Sequence, residues 1–467
     1  MHPDLDHDGG PAVTSGTSAP PVATADPAAP AAPAAPAAPA APAAPAAPAE
    51  PMARTADELP KVSARYIWFM VLAQFGVFMA FITPLAISLS IRVNELAPGR
   101  EEMLGYITGA GALFVMLTAP FMGIWSDRTR TAIGRRRPFM IGGMVVGVIS
   151  LIVMALAPSV LVLGAGWVLA QWGWGTVLSN LQISTADRLP EEQRGKVAGL
   201  TGFATQVAPV FGVILTVGVT GDALLLFLIP GIVGVVLVTL FVTLVHEDDS
   251  RGLPKDAITV GGLLRKYLYN PKQYPDFSWN WLGRFLFYFG LTLNTTFTAF
   301  FFASRLGVEV TEVSGVIATL GGVGVLAVTV GALGGGFLSD RFRRRKVFVL
   351  IGGSLMAAGM LIMAFSSGLP LLVTGSLIVS AGIGMFSAVD QALLLDVLPE
   401  KATDAGRFMG ITGFATSIPQ SAAPLLASSI LLVGATGGDK NYTLLFVIAA
   451  ALTLLGGLVI LRIRSVR

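Results

Sequence analysis

From residue 66 onward the chain is built of roughly twelve runs of about 20 mostly apolar residues, each long enough to cross a bilayer as a helix. Such runs are too long for the helices of a soluble domain. A composition of 54% apolar and only 13% charged residues points the same way. The spans are expected near 66–91, 103–125, 138–157, 159–186, 197–219 and 223–245, then 280–304, 312–338, 347–366, 370–397, 406–434 and 441–462. The fold class is therefore an all-α membrane protein with twelve transmembrane helices.

Four regions follow. Residues 1–60 form a tail with an Ala-Ala-Pro repeat from about Asp26 to Glu50; proline at every third position blocks a helix and gives a disordered, polyproline-like segment. It has no basic stretch leading into an apolar one, so it does not read as a signal peptide. Residues 61–245 make a first six-helix bundle, 246–279 a linker and 280–467 a second bundle. Within the linker, Leu263, Leu264, Tyr267 and Leu268 beside Arg265 and Lys266 suit a short helix lying on the membrane surface.

The charges orient the chain. With the N-terminus placed inside, 26 of the 31 Lys and Arg residues fall in inside segments and four in outside loops, and Arg284 lies within a span. That asymmetry puts both ends in the cytoplasm of a multi-pass protein of the cell membrane. The basic residues sit in short loops rather than on one soluble face, so nucleic acid is not an expected partner.

The chain is also duplicated. Gly123-Ile-Trp-Ser-Asp-Arg reappears as Gly336-Phe-Leu-Ser-Asp-Arg, each followed by clustered arginines. Asp187-Arg-Leu-Pro-Glu returns as Asp396-Val-Leu-Pro-Glu, and Gly199-Leu-Thr-Gly-Phe-Ala-Thr as Gly410-Ile-Thr-Gly-Phe-Ala-Thr. The offsets are 213, 209 and 211 residues, in order. Six spans per half give two halves of like orientation, related by an axis along the membrane normal.

Several chemistries are excluded. The chain has no cysteine, and its three histidines (His2, His7 and His246) lie in the tail and at a helix end. No thiol nucleophile, Ser-His-Asp triad or His-ligated metal can be assembled, and no Gly-x-x-x-x-Gly-Lys-Ser/Thr loop occurs for ATP. Neither an enzyme nor a cofactor is expected.

Six plus six spans, with Asp127-Arg128 and Gly134-Arg135-Arg136 after span 2 and an echo after span 8, resemble the major facilitator superfamily. Five residues, Thr129 to Ile133, separate the two parts of the loop, which ends Gly134-Arg-Arg-Arg-Pro-Phe139. This longer form looks like that of the sucrose transporters and the neighbouring glycoside–pentoside–hexuronide:cation symporters. The chain departs from them in having no His after Thr83-Pro84 and neither an acid nor an Arg around Ala170-Gln171 and Leu181-Gln182 of span 4. The resemblance implies the major facilitator fold, with a cavity between the halves lined largely by spans 1, 4, 7 and 10.

Ionisable residues inside spans are costly, by about 2.5–3.5 kcal/mol on insertion scales, and mark function by default. Arg284 in span 7 and Asp390 in span 10, with Gln391 beside it, can meet at similar depth. Protonation of Asp390 would release Arg284, which makes the pair a coupling switch; a permanent structural pair, or a snorkelling Arg284, are the alternatives. In span 4, Trp167, Gln171, Trp174 and Gln182 lie close to one helical face that suits a sugar; in span 7, Tyr288, Thr295 and Thr298 share the Arg284 face, with Asn294 nearby. Ordinary interhelical hydrogen bonding explains the same residues. Asp127, Arg128, Arg135, Arg136, Asp340 and Arg341, with Asp187 and Asp396 as partners, are expected to gate the cytoplasmic ends, holding the halves together in one state and releasing them in the other.

The leading expectation is a monomeric secondary active transporter. It would carry a small polar solute, a sugar by the resemblance, together with a proton or other cation, by alternating access within the lipid bilayer. Export of amphipathic compounds is the alternative within transport, and a non-transporting receptor or scaffold the alternative outside it.

Overall fold

The computed structural model describes residues 61–247, 249–251, 269–400, 404–435 and 440–466. The tail at 1–60 and the surface helix expected at 263–268 lie outside the described residues, as does the side chain of Asp127. Among the described residues the long elements are all helices. The first six are α1 (Ala64–Leu96), α2 (Glu102–Arg128), α3 (Arg137–Ala155), α4 (Val160–Arg188), α5 (Glu191–Thr216) and α6 (Ala223–Leu244). The second six are α7 (Pro275–Thr296 continued by Thr298–Leu306), α8 (Val313–Phe342), α9 (Arg345–Ala364), α10 (Leu369–Val397), α11 (Ala405–Leu432) and α12 (Tyr442–Ile460).

Ten of these are individually long and apolar enough to cross a membrane, and the bent α7 makes an eleventh. α11 supplies a twelfth of 28 residues, made less apolar by its Ser and Thr residues and by Pro419 and Pro424. Two helices deviate from regularity where the sequence requires it. Pro84 has no N–H to donate, and α1 widens into a π-helical turn over Pro84–Ser88. α7 bends by 52° at Phe297, just after Thr292, Thr295 and Thr296 have each turned a hydroxyl onto the preceding turn.

The arginine-rich loop proves shorter than its charges imply. α2 stays helical through Asp127 and Arg128, and α8 through Asp340 and Arg341. At 30 residues, α8 is about 45 Å long, well beyond the ~30 Å of hydrocarbon, so its last turns stand in the polar zone. There an arginine near the helix C-terminus meets the favourable end of the macrodipole.

The duplication is visible in the packing. A Cβ on Gly76 of α1 would lie 2.9 Å from Leu237 Cβ and 3.1 Å from Gly234 Cα of α6. The equivalent pair in the second half is α7 with α12, where a Cβ on Gly283 would lie 2.9 Å from Gly456 O. α3 and α4 close on Gly143 and Gly173, and α9 and α10 on Gly352 and Gly382, in the same manner. With no hydrophobic drive between helices in lipid, such backbone proximity is what holds them together.

The halves meet at the end opposite the arginine-rich loops, called here the outer end. There a Cβ on Gly105 of α2 would fall 2.1 Å from Ser428 Oγ of α11, and one on Gly321 of α8 would fall 3.0 Å from Val210 of α5. Toward the arginine-rich end, a Cβ on Gly123, Gly199, Gly202, Gly406 or Gly413 would meet nothing within 4 Å. The helices leave room on that side.

Candidate solute cavity and ion pair

A cavity of about 1030 Å³ lies between the halves. α1 contributes Phe81 and Leu85, α2 Thr108 and Met116, α4 Gln171, α7 Tyr288, Thr292, Thr295, Thr296 and Thr298, α8 Ile317, and α11 Phe414, Ser417, Gln420 and Pro424. Contrary to expectation, α10 supplies no wall residue among the described residues, and α2 and α11 take its place. The reason is packing. A Cβ on Gly384 of α10 would fall 2.0 Å from Val328 O of α8, and one on Gly382 would fall 2.7 Å from Met356 N of α9, so α10 is wedged between two neighbours.

Of the span 4 residues, only Gln171 reaches the wall. Trp174 is fully buried and turned away from it; its ring fills the space that Gly147 of α3 leaves, with a Cβ there only 2.6 Å from the indole. Trp174 packs in the core and does not line this cavity. Trp167 is also buried and stacks on Phe81 at 5.7 Å, so it backs the wall without forming it. Gln182 is exposed, nearer the arginine-rich end and outside the wall. Asn294 is buried beside the α7 bend, and its amide nitrogen meets no acceptor among the described residues. Tyr288, Thr295 and Thr298 do line the cavity.

Arg284 and Asp390 come together. Arg284 Nε donates to Asp390 Oδ2 at 2.7 Å, and its Nη2 donates to Gln391 Oε1 at 2.9 Å. Asn280 Nδ2, one turn earlier on α7, donates to Asp390 Oδ1 at 3.1 Å, so both carboxylate oxygens are engaged. Asp390 is fully buried, and Phe287 and Phe386 stack face to face at 3.4 Å beside the pair. At seven residues from the end of α10, the carboxylate lies about 10 Å inside the helix terminus. Tyr288 links this cluster to the cavity, since it lines the wall and lies beside Ser387, Arg284 and Asp390.

Among the described residues, Arg135 and Arg136 find Asp187 within the first half, and Arg345 finds Asp340 and Asp396 within the second. Arg135 Nη2 lies 2.8 Å and Arg136 Nη2 3.5 Å from Asp187 Oδ2. Arg136 is buried and also donates to Ser126 Oγ, which in turn donates to Asn180 Oδ1, tying α2, α3 and α4 together. In the second half Arg345, not Arg341, takes the central place, 2.6 Å from Asp396 and 3.0 Å from Asp340. Arg128 lies in the last turn of α2 and Arg341 in that of α8.

A charge pair that crosses the halves lies at the outer end. Lys440 Nζ sits 2.8 Å from Glu102 Oε2, both side chains 9% exposed, and the Tyr442 hydroxyl donates to Glu101. Ser428 Oγ donates to the Glu102 carbonyl at 2.7 Å. Sequence reasoning missed this latch, and it missed Gln420, Thr292 and Thr108. An amide next to Pro419, in a span whose other polar groups are chiefly hydroxyls, is the signal that marks Gln420.

A family model described as Major Facilitator Superfamily matches residues 66–334 and 281–467. The general alpha-glucoside permease of Schizosaccharomyces pombe is 33% identical over 110 residues, which span 22% of this chain and 18% of the permease. Among solved structures, a point mutant of the nucleoside transporter NupG aligns with a TM-score of 0.70 at 12% identity, over 85% of this chain and 99% of its own. A D-xylose-proton symporter aligns at 0.65 and 16% identity, over 86% and 98%.

Proposed function

The chain belongs to the Major Facilitator Superfamily, and from that premise we propose that it moves a small polar solute, a saccharide, together with a proton, by alternating access across the cell membrane. The observation that carries this is the pairing of Arg284 with Asp390 directly behind Tyr288, a residue of the cavity wall. A proton on Asp390 would cancel the charge that holds Arg284. The freed guanidinium would then pull on Tyr288 and on α7, whose bend separates its outer segment from the part that carries the pair. The partial likeness to an alpha-glucoside permease and the aromatic and amide groups of the wall support the saccharide reading. The Lys and Arg asymmetry supports a cytoplasmic arginine-rich end, so the cavity would open inward with its outer end latched. The Asp187 and Asp396 clusters would then brace each half, and would form cross-half contacts only when the inner end closes. Twelve helices enclose a path unaided, which supports a monomer.

A second reading, export of amphipathic compounds, draws on the apolar share of the wall: Phe81, Leu85, Met116, Leu291, Ile317 and Phe414. A non-transporting receptor would call for an unpaired Asp390 and a collapsed cavity, neither of which is present. Purified protein in liposomes decides between these readings. Accumulation of a labelled mono- or disaccharide only under an inward proton gradient is the expected result. No saccharide movement, with efflux of an amphipathic dye, would leave the exporter.

A further inference from the structure

Among the described residues the cavity wall contains no Asp, Glu, Lys, Arg or His. Its Thr and Ser hydroxyls also share one feature. Thr108 Oγ1 donates to Leu104 O at 2.8 Å, Thr292 to Tyr288 O at 2.8 Å, Thr295 to Leu291 O at 3.1 Å, Thr296 to Thr292 O at 2.7 Å and Thr298 to Asn294 O at 3.0 Å. Ser417 donates in the same way to Gly413 O at 3.2 Å. Each proton is spent on the helix that carries the residue, and what remains toward the cavity is a lone pair. Four of these six hydroxyls stand on α7 alone. The wall therefore accepts hydrogen bonds far more readily than it donates them. The exceptions are the phenol of Tyr288 and two side-chain amides, Gln171 of α4 and Gln420 of α11, one from each half and neither bonded to another described residue. The amides bring both donors and acceptors.

We infer that the cavity selects an uncharged solute rich in O–H or amide N–H donors, held between Gln171 and Gln420, and rejects its ionised analogues of either sign. An anion would face an array of lone pairs with no cation to balance it. A cation would find acceptors but no carboxylate, and moving an ion out of water without a counter-charge is costly. A polyol, by contrast, gives its protons to the threonine oxygens and its own oxygens to the two amides. Because Gln171 and Gln420 belong to different halves, the same solute would draw α4 and α11 together. This inference rests on the reading of the cavity as the solute site.

The test is entrance counterflow in liposomes containing the full-length protein, with matched trios that differ in one group only: an uncharged hexoside, its uronate and its amino sugar. A parallel trio on an aromatic scaffold carries an amide, a carboxylate or an amine. Within whichever trio moves, the uncharged member is expected to move about tenfold faster than either ion. A charged member moving as fast as the neutral one overturns the inference and leaves the transport reading intact. If only the aromatic trio moves, the saccharide reading fails while its neutral member still tests the charge selection. No movement in either trio overturns both. The residue assignment has its own readout: Gln420→Glu and Gln171→Glu should each shift preference toward the amine by about tenfold. A structural role would slow all three members alike, and that result would remove the two amides from the site.

Discussion

Asp390→Asn isolates the proposed coupling from the fold. In the native protein Arg284 Nε lies 2.7 Å from Asp390 Oδ2, with the two side chains 10% and 0% exposed. Removing one charge from so buried a pair costs about 3–5 kcal/mol, chiefly because the remaining ion keeps its desolvation cost without its partner. Asparagine retains an oxygen that can accept from Arg284, which places the loss near the lower end, at about 3 kcal/mol. The functional effect has its own scale. A proton gradient of one pH unit is worth about 1.4 kcal/mol and, at one proton per solute, supports about tenfold accumulation. In proteoliposomes under that gradient, Asp390→Asn should lower the accumulation ratio from about ten to about one, while counterflow without a gradient continues. Arg284→Gln combined with Asp390→Asn should recover most of the lost thermal stability, since a neutral pair avoids the stranded charge, but none of the accumulation. Wild-type accumulation in Asp390→Asn would refute the coupling role. A double variant no more stable than the single one would refute the electrostatic account of the cost.

Three further expectations concern the latch and the wall. Lys440→Met removes the Glu102 partner at 2.8 Å from the other half, leaving Arg100 of its own half at 3.5 Å, and should shift the protein toward an outer-open state by about tenfold. The chain has no cysteine, so the rate of maleimide labelling at Met116→Cys, added from the outer side, measures this directly, and an unchanged rate would remove the latch. Gly105→Val places a Cβ 2.1 Å from Ser428 Oγ and should abolish transport in a folded, monodisperse protein, whereas Gly199→Ala, whose Cβ meets nothing within 4 Å, should transport normally. Trp174→Ala should lower stability by about 3–5 kcal/mol with little change in KM. Gln171→Leu should do the reverse, and a large KM shift from Trp174→Ala alone would return that ring to the pathway.

Arg284 and Asp390 were legible because an ion in a span is conspicuous against apolar neighbours, and their depths follow from counting along two helices. Asn280, which holds the second oxygen of Asp390, was not legible, because an amide near a helix start has many ordinary partners. Trp174 and Gln171 sit near one another on the α4 face, yet one fills a gap at Gly147 and the other reaches the cavity. Helical periodicity gives direction to within a neighbouring element, while a long side chain goes where a glycine on that element leaves space.

The sequence alone determined the number and placement of the spans, the duplication, and the absence of thiol chemistry. These depend on hydrophobic length and residue identity, both of which are local properties of the chain. Only the tertiary structure decided which helices face the cavity, that α2 and α11 stand where α10 was expected, and that Arg345 rather than Arg341 pairs with Asp396. It also decided that a charge pair joins the halves at Glu102 and Lys440, 338 residues apart. Each of these depends on how closely two helices approach, and that distance is set by glycines on both partners at once.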